Sequence, residues 1–512
     1  MAEEAAAVRL ADGDWQISPQ VRGLNDDSRR VQPGDLFVAV RGRSDDGHLH
    51  LAEAASRGAV AAVVDADVGD APAGLSLIRV ASTAQALGEL ASAWYGHPSR
   101  ELELIGITGT NGKTTVAAMV VEILTAAGRT AESIGTLGPY DEAGGYPLTT
   151  PFPLQLQRTL RAMVERGVRT VVMEVSSHGL VQQRTAGCEI DAAVLTNLGR
   201  DHLDYHGTLR AYWAAKARLF KGLRRTRHKE RPPVAVLPLS GTGVAAFARH
   251  VAVDRLRYGL DPQADVWADG IEARGWGSRF ILHAAGQELP AEVHMPGVFN
   301  VTNALAAVAA ALAVGAPLEA AVEGLGRLHG VAGRAERIAL AGRGFVVIDY
   351  AHNPGALAQI LEAARASAPG ARLVSVFGGR GRRDRGKLPG MGAAAARFAD
   401  ALVLTSDSPL DEDPADLAAA IRSGIPARAA LVVEYLPERA EAIARAVTLA
   451  GPDGVVVITG RGHEVEQWVG GKVLHRRDAD MVRAALGQTP APRGRTPGRP
   501  RSAPTRPRAR PV

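Results

Sequence analysis

A glycine-rich segment between an apolar strand and an apolar helix constrains the fold of this chain more than any other part of it. Residues 105–115 read Ile-Gly-Ile-Thr-Gly-Thr-Asn-Gly-Lys-Thr-Thr. The apolar residues before this segment are typical of a buried strand, and those after it recur at helical spacing. The backbone N–H groups of such a loop, and of the helix that follows, bind phosphate oxygens. The pattern therefore predicts a nucleotide-binding loop rather than a turn with an incidental lysine.

The side chains of the loop predict how ATP and Mg²⁺ are held. We expect Lys113 to reach the outer phosphates and the Thr114 hydroxyl to coordinate Mg²⁺. The loop is a variant of the strict motif, because Ile107 stands where that motif has its first glycine. The predicted nucleotide-binding residues are Gly109, Thr110, Asn111, Gly112, Lys113, Thr114 and Thr115.

Length and the alternation of strands with helices predict three α/β domains. The chain has 512 residues, which is too long for a single hydrophobic core. Its content of 46% hydrophobic and 22% charged residues is ordinary for a globular protein. We predict an N-terminal α/β domain over residues 1–100, a central ATP-binding domain with a mainly parallel sheet over 101–330, and a C-terminal Rossmann-like α/β domain over 331–487. Apolar strands of the third domain are predicted at 345–348, 373–377, 401–405 and 455–459.

The basic charge of the chain is concentrated at its end. Residues 488–512 alternate Arg with Pro and lack apolar periodicity, so we predict a disordered tail. From Thr489 onward there are seven arginines and no acidic residue, so the formal net charge of +5 falls to −2 without this segment. RNA, anionic lipid or an acidic partner could bind such a tail, but a solvated extension is the favoured interpretation. We therefore predict no stable nucleic-acid partner.

Cysteine usage and hydropathy predict a cytoplasmic protein that does not insert into membranes. Cys188 is the one cysteine, so an intramolecular disulfide is excluded, and we expect it to be a small buried residue. The acidic start of the chain lacks the pattern of a signal peptide. Residues 303–316 are apolar but short and Ala-rich, which predicts a buried helix. We expect a monomer.

Polar residues follow two further predicted strands, at 170–175 and 192–196. Glu174 ends the first, and a buried carboxylate there is costly unless it meets a cation, for which Mg²⁺ is the obvious candidate. The second is followed by acids and histidines that include His202. Zinc is disfavoured because no cysteine joins them. The structural alternative for Glu174 and His202 is a hydrogen-bonded pair without a metal.

Three segments in this order resemble the motifs of the Mur ligases: 109–115, Glu-Val-Ser-Ser-His-Gly-Leu at 174–180, and Thr-Asn-Leu-x-x-Asp-His-Leu-Asp-Tyr-His-Gly at 196–207. The resemblance extends over nearly the whole chain to about residue 480, and it is strongest to the UDP-N-acetylmuramoyl-tripeptide synthetase type. Further segments that carry it lie at 27–39, which resembles the uridine-binding domain, and at 149–151, 331–336, 349–354 and 460–464.

The resemblance implies an ATP-dependent acid–amino-acid ligase of class EC 6.3.2, with ATP and Mg²⁺ as cofactors. Such an enzyme adds an amino acid to the terminal carboxylate of UDP-N-acetylmuramoyl-L-alanyl-D-glutamate through an acyl phosphate. This step belongs to peptidoglycan precursor synthesis, and so to cell-wall biogenesis, cell shape and cell division. No nucleophilic Ser or Cys is needed, and the Ser-Ser-His run at 176–178 lacks the turn of a hydrolase nucleophile.

The resemblance also implies roles for individual residues. Lys216 matches a lysine that the family carbamoylates, although the sequence around it by itself predicts an exposed helix lysine. His352 matches a residue near the nucleotide. The implied catalytic residues are Lys113, Glu174, His202, Lys216 and Arg334. The implied metal site comprises Thr114, Glu174, His202 and carbamoylated Lys216. The implied substrate-binding residues are Ser28, Thr149, Thr150, Ser176, Gln182, Arg184, Arg383, Asp407, Gly460 and Glu464.

The chain departs from the family pattern where the incoming amino acid is recognised. Enzymes that use meso-diaminopimelate carry Asp-Asn-Pro-Arg, whereas this chain has Asp-Ser-Pro-Leu at 407–410. Leu410 cannot pair with the distal carboxylate, which argues against the usual recognition of diaminopimelate and leaves lysine, ornithine or an unusual amino acid as alternatives. Three further departures are Asn-Pro-Gly at 353–355, a more basic segment at 377–383, and Val-Leu-Pro-Leu-Ser at 236–240.

Three other functions stay open at this point. One is a paralogue that joins a different amine or carboxylate in a specialised metabolic pathway. Another is a folylpolyglutamate-type ligase, which the N-terminal domain of about a hundred residues disfavours. The third is a nucleotide switch or nucleic-acid binder that uses the basic tail.

Overall fold

The computed structural model describes residues 8–11, 14–42, 45–138, 148–226 and 228–488, and the predicted basic tail from Thr489 lies outside them. Within these ranges the chain forms three α/β domains in sequence order, as predicted. Among the helices of the described ranges, none combines the length and the apolar character that crossing a membrane requires.

The first domain contains a parallel sheet in the order β3-β4-β5-β6 and a separate hairpin, β1-β2. The central strands β4 and β5 are uniformly apolar or buried, as expected for strands covered on both faces. The strands are β1 Val8–Ala11, β2 Asp14–Ile17, β3 Gly23–Asn25, β4 Asp35–Val38, β5 Ala61–Val64 and β6 Ser76–Arg79. The helices are α1 Leu51–Ser56, α2 Thr83–Trp94 and α3 Pro98–Glu101, with 3₁₀ turns at Ser28–Arg30 and Gly47–His50.

The second domain is built on nine strands in the order β15-β14-β13-β12-β11-β10-β7-β9-β8. The strands from β8 to β13 run parallel, and only β14 and β15 are antiparallel to their neighbours. The strands are β7 Glu103–Thr108, β8 Ala131–Ile134, β9 Thr170–Glu174, β10 Ala192–Leu195, β11 Val234–Pro238, β12 Asp254–Gly259, β13 Val266–Arg274, β14 Gly277–Ala284 and β15 Gln287–Val293.

The helices of the second domain are α4 Lys113–Ala126, α5 Pro153–Glu165, α6 Ser177–Val181, α7 Leu203–His206, α8 Leu209–Gly222, α9 Val244–Ala248, α10 Val298–Ala313 and α11 Leu318–Arg327, with a 3₁₀ turn at Leu223–Arg225. Helices α4 and α10 pack on the sheet in its largest hydrophobic cluster. Helix α10 is buried as predicted, but it begins five residues before the predicted stretch at 303–316, at Val298, and ends three residues before the end of that stretch, at Ala313.

The third domain has a six-stranded sheet in the order β16-β17-β21-β18-β19-β20, parallel except for β16. The four apolar strands predicted from the sequence are β17, β18, β19 and β21. The strands are β16 Glu336–Ala339, β17 Phe345–Ile348, β18 Leu373–Phe377, β19 Ala401–Leu404, β20 Val432–Tyr435, β21 Val455–Ile458, and the hairpin β22 Glu466–Val469 and β23 Lys472–His475. The helices are α12 Pro354–Ser367, α13 Leu388–Phe398, α14 Pro414–Arg422, α15 Arg439–Ala450 and α16 Asp478–Ala485, with a 3₁₀ turn at Arg385–Lys387.

Candidate active site

Three neighbouring strands of the central sheet end at one place. Strand β7 lies between β9 and β10, with Ile107 paired to Glu174 on one side and Thr108 to Leu195 on the other. The phosphate-binding loop follows β7, Glu174 ends β9, and the acid- and histidine-rich segment follows β10. Ligands of open parallel sheets bind at the carboxyl ends of the strands, so this edge is the expected place for a nucleotide.

The loop leaves no room for side chains at its two glycines. A Cβ at Gly109 would lie 1.8 Å from Thr196 Oγ1, and one at Gly112 would lie 2.5 Å from Asn303 Oδ1. Gly112 also has a φ of +86°, in the left-handed region that favours glycine. The backbone N–H of Thr110 donates to the carbonyl of Asn197 over 3.1 Å, which ties the loop to the segment after β10. The loop is therefore held in shape by its neighbours.

A half-buried lysine and a buried lysine share one backbone carbonyl of this loop. Lys113 Nζ donates to Gly109 O over 2.9 Å, and Lys216 Nζ donates to the same oxygen over 2.8 Å. Lys216 is only 1% exposed, so the expectation of an exposed lysine was wrong, because α8 turns this face onto the loop. Burial lowers the pKa of both lysines, and the Lys113 charge lowers the pKa of Lys216 further. Lys216 is thus biased toward the neutral amine.

Thr114 and Glu174 place hard oxygen donors beside the loop. Thr114 Oγ1 donates to Glu174 Oε2 over 2.9 Å, and the backbone N–H of Thr136 donates to Glu174 Oε1 over 2.8 Å. A hydroxyl and a carboxylate are oxygen ligands of the kind Mg²⁺ prefers, and phosphate oxygens and water normally complete its shell, so the donor set fits this ion. Among the residues that the structure describes, no three His, Cys, Asp or Glu side chains converge as a metal site.

His202 enters the site as a neutral ring. It stacks edge-on against His178, with ring centroids 4.9 Å apart, and its Nε2 lies 4.0 Å from Asp201 Oδ2. Burial lowers the pKa of His202 to about 2, so the imidazole is uncharged at neutral pH. A neutral imidazole can accept a hydrogen bond or bind a metal, and its role as a ligand stays a prediction.

All but one of the residues predicted to hold the carboxylate substrate lie near Glu174, and the exception is Ser28. The backbone N–H of Ser176 donates to Thr150 Oγ1 over 2.9 Å, and Arg184 Nη1 donates to the carbonyl of Thr150 over 2.7 Å. Arg184 Nε also donates to Gln182 Oε1 over 2.9 Å. Thr149 Oγ1 lies 3.3 Å from the hydroxyl of Thr136. Ser28 lies in the first domain, where its hydroxyl donates to Glu53 over 2.7 Å.

Side chains of the third domain contact the phosphate-binding loop and the segment that follows β10. Arg334 Nη2 donates to Thr114 Oγ1 over 3.0 Å, and its guanidinium packs 4.4 Å above the ring of Tyr350. His352 Nε2 lies 2.9 Å from Asp201 Oδ2. Asn353 Nδ2 donates to Asn111 Oδ1 over 3.0 Å. Arg334 and His352 were predicted to lie near the nucleotide, and both lie against the segments that surround the predicted loop.

Asp201 was not predicted as a site residue, yet it lies at the centre of the contact between the second and third domains. It is buried, and it accepts from His352 and from Lys387 Nζ, which lies 3.3 Å from Oδ1. Although burial opposes its charge, His352 and Lys387 hold the pKa of Asp201 well below its usual range. The carboxylate therefore joins the second and third domains. Its position beside His202 after a buried strand was the available signal.

A cavity between the second and third domains contains most of the predicted amino-acid residues. Arg383, Asp407 and Gly460 line it, together with Arg380. Glu464 lies behind Arg380 and accepts from its Nη1 over 2.6 Å. A Cβ at Gly460, where φ is +105°, would lie 2.6 Å from Asp407 Oδ2. Only glycine lets the Asp407 carboxylate occupy this place.

Leu410 lies at the base of the β22–β23 hairpin rather than along this cavity. Its backbone N–H donates to the carbonyl of Trp468 over 3.2 Å, and its carbonyl accepts from Gly470 over 2.9 Å. Its φ is +60°, which is unusual for leucine. The lining of the cavity does not include it.

Sequence profiles of three Mur ligase domains match successive parts of the chain. Residues 20–95 match the catalytic domain of the Mur ligase family, 107–311 the Mur ligase middle domain, and 333–462 the glutamate ligase domain of Mur ligases. They cover the parts of the chain that form the three domains described above.

Curated relatives match along nearly their full length. The UDP-N-acetylmuramoyl-L-alanyl-D-glutamate--2,6-diaminopimelate ligase of Geobacillus thermodenitrificans is 40% identical over 472 residues, covering 92% of this chain and 95% of that protein. The protein of the same name from Pseudomonas aeruginosa is 41% identical over 495 residues, covering 93% and 98%.

Solved structures agree with this relationship. A structure of a UDP-N-acetylmuramoyl-L-alanyl-D-glutamate--2,6-diaminopimelate ligase is 32% identical and aligns with a TM-score of 0.63 over 91% of this chain and 94% of that one. A Mycobacterium tuberculosis folylpolyglutamate synthase shares the fold, with 22% identity and a TM-score of 0.62 over 79% and 96%. From its three matched domains and its full-length relatives, the chain belongs to the Mur ligase family of ATP-dependent ligases.

Proposed function

We propose that this protein joins an amino acid to the terminal carboxylate of UDP-N-acetylmuramoyl-L-alanyl-D-glutamate in the cytoplasm, as a step of peptidoglycan synthesis. The observation that carries the proposal is the convergence on Thr114 of the phosphate-binding loop, the Glu174 carboxylate and Arg334 of the third domain. The names of the full-length relatives support the same carboxylate substrate.

The proposed reaction has two steps. The substrate carboxylate attacks the γ-phosphorus of ATP, which forms an acyl phosphate and releases ADP. The free amine of the incoming amino acid then attacks the acyl carbon, an amide bond forms, and inorganic phosphate leaves. The first step brings two anions together, so positive charge must surround the transferring phosphoryl group.

The charges at the end of the central sheet suit the first step. Lys113 lies in the loop itself, and Arg334 enters from the third domain beside Thr114. When bound, Mg²⁺ would neutralise phosphate charge, with Thr114 and Glu174 as its protein-side oxygens. The Thr150–Ser176 pair lies next to Glu174, and Arg184 contacts Thr150, which supports a role for these residues in holding the substrate carboxylate close to the phosphates.

The second step uses the cavity between the second and third domains. Its lining joins Asp201 and His202 on the ATP side to Arg380, Asp407 and Gly460 on the other. An amine bound in this cavity would therefore lie beside Asp201 and His202, in the segment that follows β10. The departure at 407–410 favours a second candidate, a paralogue with a changed amine, and the same experiment decides between the two.

The test is phosphate release and product formation with UDP-N-acetylmuramoyl-L-alanyl-D-glutamate, ATP and Mg²⁺ over a panel of amino acids. We expect turnover that requires both the dipeptide and an amine. Lys113→Ala should abolish it, whereas Lys221→Ala, at an exposed position of α8, should retain it. Amine-dependent turnover in Lys113→Ala, or turnover only with another carboxylate substrate, would overturn the proposal. Removal of 489–512 should leave the rate unchanged, and dependence on that tail would favour a binder instead.

A further inference from the structure

Arg380 lines the amino-acid cavity, and its side chain is accessible from inside the cavity. Its side chain is 31% exposed, and it lines the cavity together with Asp407 and Gly460. Its Nη1 donates to Glu464 Oε1 over 2.6 Å, and the Tyr350 hydroxyl donates to the same oxygen over 3.2 Å. A guanidinium has five N–H donors in a planar fork, so the bond to Glu464 leaves donors for a further acceptor.

Two buried carboxylates lie around this guanidinium, and each has an oxygen without a partner in the described structure. These oxygens are Asp407 Oδ1 and Glu464 Oε2, in side chains that belong to residues only 2% and 6% exposed. A buried acceptor without a donor is costly, so the arrangement calls for one from a ligand. The Asp407 carboxylate, which lines the cavity, lacks a donor at Oδ1, and the ammonium group of a ligand would supply one.

Arg380 keeps its positive charge although it is partly buried. Burial opposes it, but Glu464 and Asp407 raise the pKa of the guanidinium. The lining of the cavity therefore presents the Arg380 guanidinium together with the Asp407 carboxylate. This pattern complements a carbon that carries both a carboxylate and an ammonium group.

Position 410 does not supply the cation. Leu410 is bound through its backbone to Trp468 and Gly470 in the hairpin region and does not line the cavity. Arg380 belongs instead to the segment 377–383 that is more basic than the family pattern. Arg380 therefore supplies a positive charge to this wall of the cavity, although position 410 does not.

We propose that Arg380 is the specificity-determining residue for the incoming amino acid. Its guanidinium binds the carboxylate at the far end of that amino acid, and Asp407, which lines the same cavity, binds the ammonium on the same carbon. The inference rests on the proposed function. The amine substrate is then a diamino dicarboxylic acid, rather than lysine or ornithine.

Three amines test this on the unmodified protein. Lysine is 2,6-diaminopimelate without its distal carboxylate, and 2-aminopimelate is the same molecule without its distal amine. With the UDP-linked dipeptide and ATP, kcat/KM for diaminopimelate should exceed that for either analogue at least about 100-fold, because a site that binds a polar group rejects the analogue that lacks it. Equal or greater kcat/KM with lysine would overturn the inference and leave the ligase function standing.

Variants locate the recognition at Arg380. Arg380→Gln should raise KM for diaminopimelate about 100-fold with a smaller change in kcat, and should leave kcat/KM for lysine within about threefold. Arg380→Lys keeps the charge and should retain part of the preference. Arg382→Gln is the matched control, because Arg382 pairs with the exposed Asp411 and should not affect either amine.

The outcomes distinguish the role of Arg380 from the identity of the amine substrate. If Arg380→Gln lowers kcat/KM for lysine as much as for diaminopimelate, Arg380 acts only by stabilising Glu464, and the inference is wrong. The comparison of amines on the unmodified protein decides the substrate class even if Arg380→Gln does not fold. If no amine is joined to the dipeptide, the proposed function fails and the inference fails with it.

Discussion

Arg334 of the third domain donates a hydrogen bond over 3.0 Å to the hydroxyl of Thr114 in the phosphate-binding loop. The same hydroxyl donates to Glu174, so one oxygen joins the start of α4, the end of β9 and a separate domain. An arginine that enters a phosphate site from another domain can stabilise the charge of a transferring phosphoryl group. The position of the third domain is therefore coupled to the chemistry proposed at the loop.

Replacing Arg334 should slow the chemical step. We expect Arg334→Ala to lower kcat by about 100- to 1,000-fold, with a smaller change in KM for ATP, because its charge is needed most in the transition state. Arg334→Lys should fall in between. The control is Arg337→Ala, where the guanidinium packs 4.3 Å above the ring of Phe345. An equal loss of kcat in both variants would show a general effect on the third domain instead.

Lys216 should form a carbamate. A lysine attacks CO₂ only as the neutral amine, and burial together with Lys113 lowers the pKa of Lys216 well below its usual value. Carbon-13 NMR in labelled bicarbonate should show a carbamate signal that disappears in Lys216→Ala and persists in Lys221→Ala. Ligase activity should fall with that signal. A protein without the signal that is nevertheless active would contradict the expectation.

The parts of the fold that local patterns encode were predictable. Strands β17 and β18 are short apolar runs bounded by turns, and the phosphate-binding loop is encoded by adjacent residues. The burial of Lys216 could not be read in the same way, because the face of α8 that is buried depends on a loop 107 residues earlier in the chain. The same holds for Asp201 and His352, which are 151 residues apart. Contacts of that range depend on how the domains pack, which no local pattern encodes.

The amino-acid cavity shows a second limit of what can be predicted from the sequence. The sequence comparison drew attention to Leu410 because the family places an arginine there. It could not show that Leu410 is bound to the hairpin at Trp468, or that Arg380 points into the cavity. The departure was visible in the sequence, and its consequence depended on side chains that converge only in the folded chain.

Asp201→Asn should weaken the contact between the second and third domains. The change removes the negative charge that Lys387 and His352 contact, and it leaves the Lys387 ammonium buried without its carboxylate. Breaking a buried pair in this way costs about 3 kcal/mol. Asp411→Asn is the control, because its pair with Arg382 is exposed and should contribute at most about 1 kcal/mol. The free energy of unfolding in urea measures both.

The effect of Asp201 should also depend on pH. A carboxyl whose pKa is lower in the folded state stabilises that state above its unfolded pKa of about 3.9, and the contribution is lost as the pH falls through the folded-state value. The pKa of Asp201 is well below its usual range in the folded protein. The difference in unfolding free energy between wild type and Asp201→Asn should have its largest value at neutral pH and should decrease only at acidic pH. A difference that shrinks between pH 8 and pH 6 would point to another group.

A fully buried ion cluster supports the backbone beside the amino-acid cavity. Asp478 accepts from Arg439 Nε over 2.8 Å and from Arg461 Nη1 over 3.2 Å. Arg439 Nη2 also donates to the carbonyl of Thr459, the residue before Gly460, over 3.0 Å. Asp478 therefore holds in place the arginine that positions the backbone beside the cavity.

Asp478→Asn should both destabilise the third domain and weaken amine binding. It leaves two buried guanidinium groups with no carboxylate, which costs about 3–5 kcal/mol of unfolding free energy. Because Arg439 then holds the carbonyl of Thr459 less firmly, KM for the amine should rise while KM for ATP stays close to its original value. The matched control is Glu434→Gln, which breaks the exposed pair with Arg445 and should cost at most about 1 kcal/mol. Equal increases in both KM values would mean that the cluster supports the domain as a whole and not the loops at the cavity.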